Sequence, residues 1–520
     1  MPALPDLRLG VDVGGTHTDA VLVERDGRLL AKVKVPTSPD VTGGIRGAIS
    51  ELLARSAAPT GRVTHVMLGT THATNAVLER KGLARTAVLR VGGPATHAIP
   101  PLFGWPDDLR RAVSVAETIV DGGAEFDGRD LAPLDRDAVT RFVAGLPEGL
   151  TGLAVSSVFS PVSADHELAV EEIVRSERGA GLHVSLSHEI GTLGLLEREN
   201  ATVLNEALVS TARRVVGAVG ESLTATGLGH AIVFFAQNDG TLMSLDHAIH
   251  FPVLTIGSGP ANSIRGAAYL TGVRDAIVAD VGGTSTDVGV LVNGLPRESA
   301  LGVHIGGIAT NFRMPDIVSI ALGGGTVVRH VGEAVTVGPD SVGYRLTEEA
   351  LIFGGATPTL SDAAVSVGRA RFGTAPLSAD RALALALRTA DEMLAEAVDR
   401  VKTAKGEAPL IVVGGGSVLI PDDLPGVSKV LRPDDFDVAN AVGAAIGTVS
   451  GQVDRIYQQA GRSRQEIIDA VSEEARSQAV RAGADPMGVE IVELEGIPLS
   501  YLTNPALRLR VKAAGPLAGL

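Results

Sequence analysis

One eight-residue pattern occurs twice in this chain, far apart. DVGGTHTD occupies residues 12–19 and DVGGTSTD occupies residues 280–287, so the copies agree at seven of eight positions with an offset of 268. In both places an apolar, strand-like run precedes the turn and a second one follows it. Repeats of roughly 20–50 residues build solenoids, whereas a single recurrence at this distance predicts two related domains. A chain of 520 residues has room for both, at roughly 150 residues per domain.

Apolar runs with strand character alternate with helical patterns along most of the chain, which predicts an α/β fold with a mixed sheet. A long helical stretch at 195–223 separates the two halves, and a strand at 410–420 runs into a three-glycine loop. The C-terminal residues look like an appended helix with strands. We therefore predict an N-terminal domain at 1–194, a second domain at 195–450 and a small α+β extension at 451–520.

A Gly-Gly-Thr turn between two strands is chemically suited to an anion. Glycine puts no side chain between a phosphate and the backbone N–H groups, and the threonine hydroxyl adds a donor. Asp12 and Asp280, just before the two turns, are suited to holding hydrated Mg²⁺ or orienting a nucleophile. An ordinary glycine-rich β-turn with a solvated aspartate is the alternative. The candidate phosphate ligands are Gly14, Gly15 and Thr16 in the first copy and Gly282, Gly283, Thr284 and Ser285 in the second.

A third glycine loop, VVGGGSV, lies at 412–418. Three glycines leave the backbone open to a flat ligand such as a purine or a ribose, which makes Gly414, Gly415, Gly416 and Ser417 candidate ligands. A tight strand–helix turn without a ligand is the alternative, because such turns often contain glycine.

Composition and absent motifs exclude several classes of protein. There is no cysteine, which excludes disulfides, thiolate metal sites and cysteine nucleophiles. A net charge of −15 argues against nucleic acid and anionic membranes as partners. The motifs GxxxxGK(S/T), GxGxxG after the first strand, HExxH and GxSxG do not occur. P-loop, dinucleotide-binding, metalloprotease and serine-hydrolase functions are therefore disfavoured.

Two further patterns concern histidines and targeting. His247 and His250 lie three residues apart with no acidic or histidine partner in register, so surface or core roles are expected for both. The N-terminal residues lack the pattern of a secretory signal, and no apolar run approaches the ~20 residues of a membrane helix. These observations predict a cytoplasmic protein.

Two DxGGT turns followed by a three-glycine loop resemble the actin-like (ribonuclease H-like) ATPase superfamily. Longer segments are similar to the hydantoinase A/5-oxoprolinase family in particular, and they cover most of residues 8–450 in the family's order. These segments are DVGGTHTDAVL (12–22), LGTTHATNAVLERKG (68–82), SLSHEIGTLGLLERENATVLNEAL (185–208), QNDGTLMS (237–244), SGPANSIRGA (258–267), DVGGTSTDV (280–288), GGATPTLSDAAVSVG (354–368) and VVGGGS (412–417).

This resemblance implies two duplicated actin-like ATPase domains around a nucleotide cleft. It also implies ATP and Mg²⁺ as cofactors, and the ATP-dependent opening of a cyclic amide such as a hydantoin or a 5-oxoproline-like lactam. The carbonyl oxygen is expected to be activated by phosphorylation, and a second, hydantoinase B-like subunit is expected to complete the reaction within an oligomer. A related branch of the family implies the alternative of an ATP-using subunit of a ketone carboxylase.

The family motifs carry site roles onto individual residues. Asp12 and Asp280 match the metal-holding and catalytic acids, and Thr16 and Thr284 match the catalytic turn hydroxyls. Three residues of the GTTxATN signature, Thr70, Thr71 and Asn75, are expected near the substrate. Helix capping by Thr70 or Thr71 is the alternative for that signature.

Departures from the family pattern concern the substrate and the partner more than the nucleotide. Asn262 and Ser263 stand where glycine usually follows SGPA, and LGGGT at 322–326 replaces AGGGS. Two other functions remain open at this stage: a non-catalytic actin-like or chaperone-like ATPase, and a free-standing sugar kinase. The first would need a peptide-binding or filament-forming surface, and the second would accumulate a phosphorylated sugar without ring opening.

Overall fold

The computed structural model describes residues 6–14, 17–36, 41–299, 302–312, 314–331, 334–458, 461–499 and 506–518. Its strands are β1 (Leu7–Val13), β2 (His17–Glu24), β3 (Leu29–Pro36), β4 (Val63–Thr70), β5 (Thr86–Gly93), β6 (Ser114–Asp121), β7 (Gly152–Ser157), β8 (His183–Leu186), β9 (Ile232–Ala236), β10 (Leu242–Ser244), β11 (Ala276–Val281), β12 (Thr286–Val292), β13 (Leu295–Pro296), β14 (Val303–Ile305), β15 (Ile308–Thr310), β16 (Ile317–Ile320), β17 (Thr326–Val331), β18 (Ala334–Ser341), β19 (Ala408–Val413), β20 (Val427–Leu431), β21 (Val449–Gln458), β22 (Glu490–Leu499) and β23 (Ala506–Gly515). Its α-helices are α1 (Val41–Ser56), α2 (His72–Glu79), α3 (Asp107–Val113), α4 (Arg136–Ala144), α5 (Asp165–Arg178), α6 (Ser187–Ile190), α7 (Leu195–Ala225), α8 (Leu245–His250), α9 (Ser258–Thr271), α10 (Leu346–Glu349), α11 (Leu360–Ser366), α12 (Arg381–Val401), α13 (Ala439–Ala445) and α14 (Arg464–Arg481).

The repeated octapeptide forms the same hairpin in both places. β1 pairs with β2 antiparallel so that Asp12 lies opposite Asp19, and β11 pairs with β12 so that Asp280 lies opposite Asp287. Around each hairpin the sheet has the same strand order, β3-β2-β1-β4-β9 in the first copy and β13-β12-β11-β19-β20 in the second. The last three strands run parallel in both. The predicted duplicated actin-like α/β fold is therefore confirmed.

The first sheet extends beyond the repeated unit. After β9 it continues through β10, β21, β23 and β22, so it includes strands from all three predicted domains. The predicted boundaries at 194 and 450 remain a proposal about units of sequence, because hydrogen bonding joins strands across both of them. The C-terminal strands are not a separate sheet, since β21 and β23 add on to β10, and α14 packs against them.

Separate apolar cores support the two copies. One lies around β1, β4 and α1, with Leu9, Val11 and Ile49 fully buried, and another lies between β11, β19 and α12, with Val281, Leu394 and Val412 fully buried. The predicted long helix is α7, whose N-terminal half is almost entirely buried. A parallel four-stranded sheet, β6-β5-β7-β8, is inserted in the first copy and packs against α7. Among the described helices, none combines the length and the apolar character needed to cross a bilayer.

Two glycines determine how closely the copies approach. α9 crosses α13 so tightly that a Cβ on Gly266 would overlap the backbone oxygen of Ala439, and a Cβ on Gly443 would overlap that of Asn262. Only glycine permits backbones to come this close. This crossing places one face of α9 and one face of α13 between the two hairpin turns.

We expect Gly443→Ala to lower the free energy of unfolding by about 1–3 kcal/mol, because the added methyl group must push two helices apart. Gly220→Ala is the matched control, since a Cβ at Gly220 on α7 meets nothing within 4 Å. This control should be stabilised by about 0.5–1 kcal/mol through helix propensity alone. Urea unfolding of both variants measures the difference, and equal stabilities would contradict the tight crossing.

Candidate functional site

The first turn is held by its hairpin. The Gly14 N–H donates to the His17 carbonyl at 3.0 Å, and Asp12 is buried directly before the turn. Gly15 and Thr16, which the sequence also assigns to phosphate binding, lie outside the described residues.

The second turn repeats this geometry and is open. The Gly282 N–H donates to the Ser285 carbonyl at 2.9 Å, while Thr284 and Ser285 are exposed. A Cβ on Gly283 would meet nothing within 4 Å, so free space lies over the turn. The backbone is therefore accessible to an anion, as the pattern predicts.

The third glycine loop lies against the second turn. The Gly416 N–H donates to the Val281 carbonyl at 2.7 Å, and Gly415 is exposed beside the second turn. Ser417 is fully buried, and its Oγ lacks a hydrogen-bond partner among the described residues, so its side chain belongs to the interior. The structure thus brings residues 414–416 to the predicted nucleotide side.

A fourth glycine segment completes this corner, and sequence reasoning missed its role. The Gly324 N–H donates to the Gly282 carbonyl at 3.1 Å, and the Gly325 N–H donates to the Gly283 carbonyl at 2.7 Å. The LGGGT segment therefore holds the backbone of the second turn in place through these two hydrogen bonds. The available signal for this role was that LGGGT stands where the family usually has AGGGS.

Hydrogen bonds connect the two turn aspartates across the helix crossing. The Asn440 Nδ2 on α13 donates to Asp12 Oδ2 at 3.4 Å, and the Ser263 Oγ on α9 lies 2.5 Å from Asp280 Oδ2. Ser263 Oγ also contacts Asn440 Oδ1 and has a single proton for these two acceptors, so both side chains lie in one row of contacts between the aspartates. Ser263 appeared in the sequence only as a departure from the usual glycine, and nothing in the sequence singled out Asn440.

Burial disfavours the ionised forms of Asp12 and Asp280. Burial raises the pKa of Asp12 to about 7, with a further increase from the charge of Asp19, while the Asn440 hydrogen bond opposes both. Burial also raises the pKa of Asp280, against the opposing hydrogen bond from Ser263. A divalent cation between them would favour the ionised forms.

Each turn aspartate has a second acid opposite it, with a different neighbour in each copy. Burial raises the pKa of Asp19 to about 6, although Lys34 lies 2.8 Å from its carboxylate and opposes that increase. Burial raises the pKa of Asp287 to about 6, and there the opposing group is the Ser319 hydroxyl. Asp19 and Asp287 are the last residues of the octapeptide, so the repeat itself was the signal for them.

The GTTxATN signature lies beside the first turn. The Thr71 Oγ1 donates to the Val13 carbonyl at 3.3 Å, and the Thr70 Oγ1 lies 2.5 Å from His72 Nδ1. Thr71 begins α2 without a side-chain capping bond, whereas the Thr70 Oγ1 accepts the His72 N–H at 3.2 Å. Asn75 is exposed one turn along α2. Their assignment to the substrate stays a prediction.

The residues present fit a magnesium–nucleotide pair. Asp12 Oδ1 and Asn262 Nδ2 are buried, and neither has a hydrogen-bond partner among the described residues. Both converge on Gly69, where a Cβ would overlap Asp12 Oδ1 and lie 2.7 Å from Asn262 Nδ2. The part of the chain that the structure describes has no cluster of three or more His, Asp or Glu that could enclose a metal. One or two carboxylates with phosphate oxygens is the way Mg²⁺ is usually held.

Known proteins resemble this chain in sequence and in fold. The acetophenone carboxylase gamma subunit of Aromatoleum aromaticum is 26% identical over 96% of this chain and 79% of its own length. Arabidopsis thaliana 5-oxoprolinase 1 is 30% identical over 65% of this chain, which spans only 29% of that protein. The crystal structure of the ATP-dependent caprolactamase from Pseudomonas jessenii superimposes with a TM-score of 0.75 at 20% identity, covering 99% of this chain and 89% of that one.

Two family models match the chain in sequence order. The hydantoinase/oxoprolinase N-terminal region matches residues 8–178, and the hydantoinase/oxoprolinase model matches residues 198–373. The first match contains the first turn with the GTTxATN signature, and the second contains α9 with the second turn. The chain therefore belongs to the hydantoinase/oxoprolinase family.

Proposed function

We propose that this protein binds Mg²⁺ and ATP between its two hairpin turns and activates the carbonyl oxygen of a cyclic amide, as a subunit of an ATP-dependent hydrolase. The observation that carries the proposal is the pair of buried aspartates, Asp12 and Asp280, which are connected through Asn440 and Ser263 and lie next to an accessible second glycine turn. Buried carboxyl groups without a cation cost stability, so their presence before both turns supports a functional role.

Each part of the site has a defined task in this reaction. The backbone N–H groups of the two turns donate hydrogen bonds to phosphate oxygens, and Asp12 and Asp280 hold the metal. ATP supplies a phosphoryl group that turns a poorly reactive amide oxygen into a leaving group. Because the turns belong to different sheets, closing the cleft would exclude water from the reacting groups.

A ketone carboxylase subunit is the second candidate function. It is favoured by the match to the acetophenone carboxylase gamma subunit, which covers 96% of this chain. Both candidates need a second polypeptide, because the curated relatives include named subunits such as the alpha subunit of caprolactamase and the beta subunit of acetone carboxylase. ATPase stimulated by a lactam supports the hydrolase, whereas ketone-stimulated ATPase supports the carboxylase.

We expect wild-type protein to bind Mg·ATP and Gly283→Val to bind it at least tenfold more weakly. The valine side chain would occupy the free space over the turn that a phosphate needs. Gly61→Val is the matched control, because a Cβ at Gly61 also meets nothing within 4 Å and Gly61 lies far from the turns in sequence. Calorimetric titration measures both, and failure of the wild type to bind would refute the nucleotide site.

Asp12→Asn and Asp280→Asn should each lower ATP turnover at least ~100-fold, in line with loss of a main charge contact in the transition state. Steady-state ATPase assays measure this, with the exposed Asp137→Asn as the control. Near-normal turnover in Asp280→Asn would place the chemistry on another loop.

Unfolding experiments show whether such a loss reflects misfolding. The pKa of Asp12 is about 7 in the folded protein and near 3.8 when unfolded, so the folded state holds this proton more tightly. The stability of the unliganded protein that depends on this proton is therefore present at low pH and lost as the pH rises from about 4 to about 7. Asp12→Asn removes the buried charge and should be more stable than wild type at pH 8.

Asn440→Leu should shift the acidic limb of the kcat/KM profile to higher pH. Its hydrogen bond opposes the rise in the pKa of Asp12, so removing the bond lets that pKa rise further. A merely structural role for Asn440 would lower activity equally at every pH. An unchanged pH profile would show that Asn440 does not set the ionisation of Asp12.

A further inference from the structure

A large cavity is lined by none of the described glycine-turn residues. It has a volume of about 950 Å³ and is formed where the segment after β9 meets α6, α8, β21 and α14. Residues in its wall include Thr192, Gln237, Asn238, His247, Asn311 and Ser450. A space of this size fits a small molecule, and such pockets are where substrates usually bind.

Strand register places this cavity next to the first turn. Val11 of β1 pairs with Leu68 of β4, and Leu68 pairs with Phe235 of β9, so the three residues lie in one row across the sheet. All three strands run parallel and end at the same edge. Asn238 follows β9 and Gly14 follows β1, each three residues beyond that row, so both lie at the same sheet edge with the end of β4 between them.

The acids in the cavity wall already have cations. Asp239 Oδ2 lies 2.8 Å from Lys512 Nζ, and Asp454 Oδ1 lies 3.0 Å from Arg508 Nε. Glu189 Oε2 lies 3.6 Å from His250 Nε2, so the sequence-based expectation that His250 has no acidic partner is wrong.

Most basic groups in the cavity wall are either uncharged or paired with an acid. Burial lowers the pKa of His247, and Arg455 pairs with Glu474 at 3.2 Å. Arg481 has no acidic partner among the described residues and is exposed to solvent. The wall therefore presents amide and hydroxyl groups with little net charge, which suits a neutral ligand that forms hydrogen bonds.

Two asparagines of the wall lack complementary partners. Asn238 is 3% exposed, and its Nδ2 donor has no hydrogen-bond partner among the described residues. The Asn311 Oδ1 acceptor is likewise unpaired, and its orientation is set because Nδ2 donates to the Thr192 and Leu193 carbonyls at 3.0 and 3.1 Å. Unpaired buried groups of this kind usually meet a ligand or an ordered water.

We propose that this cavity is the substrate pocket and takes a lactam, with Asn238 and Asn311 as its specificity-determining residues. This inference rests on the proposed function. A lactam presents a carbonyl acceptor and an N–H donor on one side of a ring, which match the missing partners of Asn238 and Asn311. A simple ketone has a carbonyl group but no N–H, so it satisfies only Asn238.

Calorimetric titration with four small cyclic carbonyl compounds tests the pocket in the presence of Mg²⁺ and a non-hydrolysable ATP analogue. The probes are 2-pyrrolidone, caprolactam, N-methylpyrrolidone and cyclohexanone. Unmethylated lactams should bind wild type at least tenfold more tightly than the N-methyl lactam and the ketone. Asn238→Leu should weaken lactam binding at least tenfold while the nucleotide analogue binds as before.

Val162→Trp provides a second variant that fills the same cavity without removing a side-chain hydrogen bond. It should also lose lactam binding and keep nucleotide binding. Lactam binding that is unchanged in both variants, or absent from wild type, would overturn the pocket assignment. Loss of nucleotide binding in Gly283→Val with lactam binding retained would support two adjacent subsites. Wild-type protein that binds lactam but no nucleotide would refute the proposed function and leave the pocket standing.

Discussion

The contact on which the rest of the site depends is the crossing of α9 and α13 at two glycines. Gly266 and Gly443 let backbone meet backbone with no side chain between them. The same two helices carry Ser263 and Asn440, which reach the aspartates of opposite turns. The distance between the two carboxylates is therefore determined by helix packing, and any looser crossing would separate them.

The two copies share a backbone and differ in charge. In both, an aspartate before the turn faces an aspartate after it across an antiparallel pair. The neighbouring group is Lys34 from β3 in one copy and Ser319 from β16, which pairs with β12, in the other. The duplication thus preserved the acids and changed their neighbour. Since burial opposes ionisation of all four acids, a cation placed among them would favour the ionised forms that the empty fold disfavours.

Much of this arrangement could be predicted from the repeat. A Gly-Gly-Thr turn between two apolar, strand-like runs predicts the hairpin, and its recurrence predicts the second copy. The LGGGT segment and Asn440 could not be found in this way, because they reach the turns only through tertiary packing. Likewise, no local pattern shows that β21 to β23 extend the first sheet, since strand pairing over such separations leaves no short-range signal.

Lys512 on β23 forms ion pairs that link the C-terminal strands to the cavity wall, so these strands do more than cover a sheet edge. Burial alone would lower the pKa of Lys512, but the charges of Asp239 and Glu298 outweigh it and hold that pKa above its ordinary value. Its ammonium group lies 2.8 Å from each carboxylate, one next to Asn238 in sequence and one beyond the second hairpin. Lys512 on β23 is thus the counter-ion of Asp239, which lies in the segment after β9 that lines the cavity. Any protein that bound or displaced this strand would change the electrostatics of a cavity it never touches.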